Sequence, residues 1–397
     1  MVKTLSPSIQ EFISLHQHDD VNALLLKHKS VEGVSTKFVI NQIEGRRKAQ
    51  IKFPSWGNRS DLLYPPSENL QQSSSEATAK YKASLVTEGK RGADLTGGFG
   101  VDTLYLSQKF KVFFYIEPNE ELAEIVEHNA STLSRNNIVF KTIPAENFFE
   151  IIQESFDFIY LDPSRRTQRN KKLVHLENCL PDPLALQSPI FEKSRFCLIK
   201  TSPLLDIHQA LTQLDNVKSI HVVSVGNECR ELLFFQEKDF RGDPEIFCVN
   251  LDKWGNHKNA IFRFFLRDEA LDCDYGDPKK YFYEPNASIL KAGAFKSIAR
   301  KFSLCKIHPN THLYTSDKIF KSFPGKIFLK EVLISSKPRT PLEEIFPGSV
   351  ANFLLRNYPG TTESLKKRFR LGEGGEKYAL AFSAGSRAMV FSATRIQ

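Results

Sequence analysis

The stretch FDFIYLDPSRR, Phe156 to Arg166, carries an apolar run into a carboxylate, a proline and two adjacent arginines. Its composition predicts a buried strand that stops at Asp162. A carboxylate there can hold or orient an amine, while a guanidinium plane can grip a phosphate or stack on a base. Asp162, Pro163, Ser164 and Arg165 are therefore the candidate catalytic group, with Arg165 and Arg166 as candidate substrate contacts. A competing reading pairs the two arginines with acids such as Glu177 or Asp182.

A second group is ADLTGGFGVDT, residues 93–103. A strand ending at Asp94 and turning through Thr96, Gly97, Gly98 and Gly100 lets the backbone approach a ligand closely, with a helix N-terminus and Asp102 behind it. Such a turn alone serves a dinucleotide, a phosphate, S-adenosylmethionine or merely a tight strand-to-helix junction. Thr103 stands where the dinucleotide fingerprint needs its third glycine, which counts against an oxidoreductase, and the chain has no P-loop GK[ST]. Glu117 ends the next apolar run, VFFYIE, in the register where an acid accepts hydrogen bonds from ribose hydroxyls. Ala145 and Glu146 follow the run after that, the small residue leaving room for an adenine face. Lys200 ends RFCLIK, placed to meet a substrate phosphate or to pair with Asp162. Ser75, Glu76 and Lys80 precede the first sheet strand and are candidates to line the site or simply to cap and solvate a helix. In the tail, Lys366, Lys367, Arg368 and Arg370 surround Phe369, a pattern that suits a phosphate backbone and an unpaired base as well as a solvated helix face.

These groups need a scaffold, and the pattern supplies one. Between Gly92 and Gln236, short apolar runs alternate with helical segments, the signature of a parallel sheet with crossover helices. The runs are GADLT, VFFYIE, IVFKTIP, FDFIYLD, RFCLIKT, SIHVVSV and ELLFF, the last two close enough to form a hairpin. Ligands of such sheets sit outside the carboxyl ends of the strands, so Asp94, Glu117, Glu146 and Asp162 are expected around one crevice. Residues 1–72 read as a helical N-terminal segment, residues 73–275 as the sheet domain and residues 276–397 as a small basic α+β domain. Ser73 and Glu76 fit a capping box opening a helix through about Val86. In the last domain PNASILKAGAFKSIARKF and SVANFLLRNY read as helices, and KIFLKEVLI, YALAFSA and RAMVFSATR as strands.

Composition narrows the function classes. The chain has 397 residues, long enough for two domains, with 41% hydrophobic and 25% charged residues and no disorder-like bias. No apolar run approaches the roughly 18 residues of a membrane span, and the N-terminus lacks the apolar core of a signal peptide, so a cytoplasmic location without membrane attachment is expected. The six cysteines lie far apart with no CxxC pair and no His at ligand spacing, which predicts buried thiols and no metal. Nucleophilic cysteine chemistry is disfavoured, because no Cys lies next to the glycine turn or in DPSRR, with Cys179 and Cys197 the only loose candidates. From Gly276 onward there are 21 Lys+Arg and 9 Asp+Glu, a surplus that carries more than the whole chain's net +8. Such asymmetry suggests a polyanion-binding module attached to something else.

Together these residues resemble the class I S-adenosylmethionine-dependent methyltransferases. DLTGGFG resembles their first motif, Glu117 the ribose-binding acid, Ala145-Glu146 the adenine-reading motif and DPSRR the fourth motif, over about Ser73 to Gln236. More narrowly, YFYEPNASILKAGAF, LYTSD and RNYPGTTESLKKRFRLGEGGEKY are similar to a bacterial group in which this domain precedes a C-terminal THUMP-like domain. The resemblance implies a Rossmann-like α/β fold with a ferredoxin-like or THUMP-like C-terminal domain. It also implies S-adenosyl-L-methionine as cofactor, bound by Asp94, Thr96, Gly97, Gly98, Gly100, Asp102, Glu117, Ala145, Glu146 and Asp162. An RNA substrate, rRNA or tRNA, is implied by the THUMP-like domain. Two departures stand out: Thr96 occupies the first glycine position of the usual turn, and Ser164 and Arg165 replace the proline and aromatic residue common in nitrogen methyltransferases. A small-molecule or protein methyltransferase and a non-catalytic RNA-binding factor are the alternatives.

Overall fold

The computed structural model describes residues 5–165, 175–257, 261–334 and 341–397. It separates into two compact units, the first comprising Met1–Gly226, Arg230–Gly242 and Leu251–Asn256, the second Asn227–Cys229, Asp243–Asn250 and His257–Gln397.

The first unit begins with helices α1 (Pro7–Leu15), α2 (Val21–Lys27), α3 (Thr36–Lys52), α4 (Ser67–Gln72) and α5 (Glu76–Ser84). Its sheet strands are β1 (Gly89–Asp94), β2 (Phe110–Ile116), β3 (Ile138–Lys141), β4 (Phe156–Leu161), β5 (Ser194–Thr201), β6 (Val217–Val225) and β7 (Glu228–Glu237). Helices α6 (Val101–Leu106), α7 (Glu120–Thr132), α8 (Pro183–Lys193) and α9 (Ile207–Gln213) lie between them in sequence. Across these seven strands the order is β3-β2-β1-β4-β5-β7-β6. The first five strands are parallel, and β7 runs antiparallel to β5. β2 (FKVFFYI) and β4 (FDFIYL) are mostly apolar and buried, as inner strands of a parallel sheet are. Asp157, the one polar residue within β4, accepts from Lys90 N at 2.6 Å and Arg91 N at 2.9 Å, and so ties the start of β1 to β4. All seven expected strands are present.

The N-terminal helices share one hydrophobic core with the glycine-rich loop. Val39, Ile43, Phe53, Trp56 and Tyr64 pack with Phe99, Val101, Tyr115 and Val126. The ring of Phe99 lies 5.9 Å from Phe53, 6.1 Å from Trp56 and 6.2 Å from Tyr64. The lead-in helices thus anchor the loop that follows β1.

One local expectation fails here. Ser75, not Ser73, caps α5, its hydroxyl accepting from Thr78 N at 3.3 Å. Ser73 is already used by the last turn of α4, where its hydroxyl donates to Leu70 O at 2.9 Å. Glu76 accepts from Ser55 N at 2.8 Å and pairs with Lys80 at 2.7 Å instead of closing a capping box.

The second unit contains the antiparallel pair β8 (Glu245–Leu251) and β9 (Phe262–Phe265). It continues with β10 (Tyr281–Pro285), α10 (Ala287–Ala292), α11 (Phe295–Lys301), β11 (Cys305–His308), β12 (Thr311–Ser316), β13 (Gly325–Leu333), β14 (Val350–Arg356), α12 (Thr362–Phe369), β15 (Gly372–Ala384) and β16 (Arg387–Arg395). Seven of these strands form a sheet of order β11-β12-β10-β13-β16-β15-β14. The expected helix over PNASILKAGAFKSIARKF is two helices, α10 and α11, broken where Gly293 takes a left-handed φ of 74°. The expected helix SVANFLLRNY is a strand, β14, paired in parallel with β15. An apolar run of that length is ambiguous between helix and strand, and the neighbouring edge decides it.

Candidate active site

β1 delivers Asp94 to the carboxyl edge of the sheet, where it is buried. Its Oδ1 accepts from Thr96 N at 2.9 Å and from the Thr96 hydroxyl at 3.1 Å, and its Oδ2 accepts from the Thr103 hydroxyl at 2.6 Å. Burial pushes its pKa up to about 7, although these hydrogen bonds oppose the rise. The turn then needs its glycines. A Cβ on Gly97 would lie 2.3 Å from the Tyr115 ring, and one on Gly100, where φ is 71°, would lie 2.3 Å from a Val126 methyl. A substituted residue at either position must push the turn or the core aside.

Glu117, just beyond β2, is wired into that turn. One of its oxygens accepts from Gly98 N at 2.9 Å and the other from Asn119 N at 3.0 Å. The Tyr115 hydroxyl donates to Gly98 O at 2.7 Å, so the loop is held from both sides. A carboxylate has about four acceptor positions, so Glu117 retains capacity for outside donors such as hydroxyls. After β3, Ala145 is buried and Glu146 exposed on one short turn, Ala145–Asn147.

β4 ends beside β1. The Asp162 N–H donates to the Thr96 hydroxyl at 2.7 Å, so the same oxygen touches Asp94 and the start of the DPSRR segment. The Lys200 ammonium, on β5, pairs with Asp162 Oδ2. Burial works against the charge on Lys200, but Asp162, Glu231 and Asp102 outweigh it and raise its pKa. Of the two roles open to Lys200, pairing with Asp162 is the one formed here. Ser164 is exposed and donates to Leu180 O at 3.2 Å, while Arg165 pairs through its backbone with Cys179. Arg166 lies outside the described residues.

Asp102, expected at the cofactor, turns into the protein instead. Its Oδ2 accepts from the Ser74 hydroxyl at 2.7 Å and the Tyr160 hydroxyl at 2.8 Å, and its Oδ1 lies 3.2 Å from Lys82 Nζ. Lys82 also donates to both oxygens of Glu231 at 2.9 Å and to Ser74 at 3.0 Å. Burial alone would favour a protonated Asp102, but the Lys82 and Lys200 charges reverse that and hold its pKa low. Glu231 is raised by its burial, with the same two lysines opposing. This buried network joins α5, α6, β4 and β7 beneath the carboxyl edge. Its members Lys82 and Glu231 escape sequence reasoning because each reads as an ordinary charged residue. Their partners lie far away in sequence, Lys82 and Glu231 being 149 residues apart, so no local pattern signals the pairing.

Lys52, at the end of α3, is a further cation of this region. Burial lowers its pKa to about 8, helped by the charges of Lys200 and Arg230. Its ammonium donates to Gln71 O at 3.0 Å and to Leu70 O at 2.5 Å, closing the end of α4. Cys197 is buried with its thiol pKa raised by desolvation, and Cys179 is buried with its Sγ 3.6 Å from His175 O. Desolvation with no cation beside it among the described residues argues against Cys197 as an activated nucleophile. Among the described residues no group of three or more His, Cys, Asp or Glu is placed to hold a metal. No helix among them is long and apolar enough to cross a membrane.

In the second unit, α12 presents Lys367 and Arg368, and Arg370 follows it, all exposed. Lys366 pairs with Glu373 at 2.7 Å. Phe369 is buried with Leu365, Leu371 and Phe346, so it serves the core and offers no face to a base.

Comparison with known proteins follows the fold. Residues 281–324 match the model of a ferredoxin-like domain family. A crystal structure of a candidate methyltransferase from Porphyromonas gingivalis W83 superimposes with a TM-score of 0.86 at 29% identity, covering 98% of both chains. An rRNA methylase from Streptococcus thermophilus matches at 15% identity and a TM-score of 0.30, over 40% of this chain and 93% of that one. TrmK of M. capricolum, solved with S-adenosylhomocysteine, matches at 13% identity and 0.34, over 42% of this chain and 70% of that one. Those two likenesses are too weak to bear on function. No curated protein matches in sequence.

Proposed function

We propose that the chain is an S-adenosyl-L-methionine-dependent methyltransferase that modifies a base in structured RNA, rRNA or tRNA, in the cytoplasm. The observation that carries the reading is the closed Gly97–Gly100 turn bonded through Gly98 N to Glu117 at the carboxyl edge of β1 and β2. That turn gives a nucleoside a close backbone approach, and Glu117 keeps acceptor capacity for ribose hydroxyls. The full-length likeness to a candidate methyltransferase supports the same class.

The cofactor supplies an electrophilic methyl group on a positively charged sulfur, so the protein's task is alignment more than acid-base chemistry. Asp162 is the group we assign to the acceptor. Lys200 fixes its Oδ2, and Oδ1 has no partner among the described residues, leaving an oxygen to accept an acceptor N–H. The Thr96 hydroxyl sets the height of the Asp162 backbone relative to the glycine turn. Pro163, Ser164, Arg165 and Arg166 complete the acceptor side in this reading, and Ala145 and Glu146 flank the adenine. Lys366, Lys367, Arg368 and Arg370 belong to a basic, THUMP-like module that captures RNA through its phosphates.

The test is transfer of labelled methyl from S-adenosylmethionine to total RNA from cells lacking this gene, with the protein fraction as a parallel acceptor. Label in one RNA species is expected, and Asp162→Ala is expected to lower turnover at least about 100-fold while leaving cofactor affinity within about threefold. Label confined to protein, or parental turnover by Asp162→Ala, would overturn the assignment.

A further inference from the structure

Trp254 is one of two tryptophans in the chain, and the two are placed in opposite ways. Trp56 is buried at 4% exposure, whereas Trp254 is 54% exposed. About half of the Trp254 side chain is in solvent, which leaves aromatic surface that a partner can stack on.

The turn that carries it is built, not loose. Asp252 Oδ1 accepts from Trp254 N at 2.8 Å and Asn256 N at 3.0 Å, and Asp252 Oδ2 accepts from Asn256 Nδ2 at 3.1 Å. Backbone bonds close the same turn, Asp252 N to Asn256 O at 2.9 Å and Gly255 N to Asp252 O at 3.2 Å. Asp252 is thereby occupied within the turn, and Lys253 places its ammonium 5.0 Å from the centre of the Trp254 ring.

The turn also has a defined seat. At Gly255, with φ at 92°, a Cβ would lie 3.4 Å from Ala77 Cα and 3.7 Å from Lys80 Cδ, so the turn rests on the opening turns of α5. The residue before that helix's N-cap, Ser74, donates to Asp102 behind the glycine turn. An exposed aromatic ring therefore stands on the helix that is locked to the proposed cofactor loop.

We infer that Trp254 is a stacking platform for an unpaired base of the RNA, with Lys253 meeting the adjoining phosphate. This rests on the RNA reading above and deepens it by placing a single-stranded nucleotide on the catalytic unit itself. A flat apolar ring supplies a face that any base can stack on, and a cation one residue away supplies the charge that a phosphate needs. The rigid turn holds the ring in place before binding, so little order is lost on contact. A protein partner would favour an apolar surround, whereas Trp254 is flanked by Lys253 and by the polar turn residues Asp252 and Asn256.

The two tryptophans make the test direct. Tryptophan emission of the intact chain is followed while a short single-stranded RNA is added at low salt, with affinity measured separately by anisotropy of a labelled strand. Emission of the parent is expected to be quenched, and Trp254→Phe, which leaves only buried Trp56, is expected to show no quenching while still binding. Trp254→Ala is expected to bind about fivefold to about 100-fold more weakly, with Trp254→Phe close to the parent. Unfolding midpoints of both variants are expected to match the parent, which separates stacking from damage to the fold. Equal RNA affinity for the parent and Trp254→Ala, or parental emission unchanged at saturating RNA, would overturn the platform and leave the RNA reading standing. Failure of the intact chain to bind any RNA would remove both. Quenching by a protein fraction but not by RNA would make Trp254 a protein contact and overturn the inference.

Discussion

In the first unit Lys82 is wholly enclosed and spends its charge on Glu231 and Asp102, and Lys200 faces Asp162. In the second unit Lys367, Arg368 and Arg370 stand in solvent around one short helix, and the Lys366 partner Glu373 is itself 69% exposed. The first arrangement fixes geometry, because a buried charge whose partner is lost has nowhere to go. The second fixes little, but its cations can exchange small counterions for a polyanion. Similar residue types thus carry different duties, and burial is what distinguishes them.

The largest effect should come from the buried side. Lys82→Met leaves Asp102 and Glu231 facing each other in the core and is expected to destabilise the protein by about 3–5 kcal/mol. Denaturant titration measures this, and a loss below about 1 kcal/mol would show that the network is not what locks α5 to the sheet.

A pH scan sharpens the contrast next. His221 is buried with its pKa driven down to about 3, against 6.5 in its ordinary state, and its ring contacts the Tyr81 hydroxyl at 2.7 Å. The unfolded chain therefore binds the extra proton first. Stability contributed by neutral His221 is complete above pH 6.5 and drains away as the pH falls toward 3, about 1.5 kcal/mol of it between pH 6.5 and 5. His221→Gln should flatten that slope in chemical unfolding followed at several pH values. Asp94 acts in the opposite sense: with its pKa raised to about 7, it costs stability as the pH rises from about 4 to 7.

The smallest effect on stability, and the clearest on binding, belongs to the exposed side. Replacing Lys366, Lys367, Arg368 and Arg370 together by Ala should move the unfolding free energy by no more than about 1 kcal/mol. It should reduce the salt dependence of RNA binding by about three to four units of slope. An unchanged slope would take the RNA-capture role away from α12.

The seven strands of the first unit were legible because strands covered on both faces read as continuous apolar runs between turn residues. The glycine turn and Glu117 were legible for a related reason: close backbone approach has only one residue type to draw on, and strand ends fix the spacing. Tertiary choices were not legible. SVANFLLRNY became a strand because β15 offered it an edge, and Ser73 lost its capping role to the preceding helix. Asp102 carried a motif position yet found Lys82, Ser74 and Tyr160 inside the protein, partners at sequence distances that no local pattern reports. Phe369 sat among cations in sequence and turned to the core because helical spacing aligned it with Leu365.

Thr96 departs from the glycine expected at its position, and its hydroxyl is shared between Asp94 and the Asp162 backbone. A glycine would leave the backbone bond from Leu95 N to Tyr160 O, at 3.1 Å, to join β1 and β4 at this end. With one oxygen bonded to both, the turn after Asp94 and the start of the DPSRR segment are joined by a side chain as well as through the sheet below. Departure from the glycine pattern here is thus a tether, one side chain pinning the acceptor segment to the cofactor-side turn.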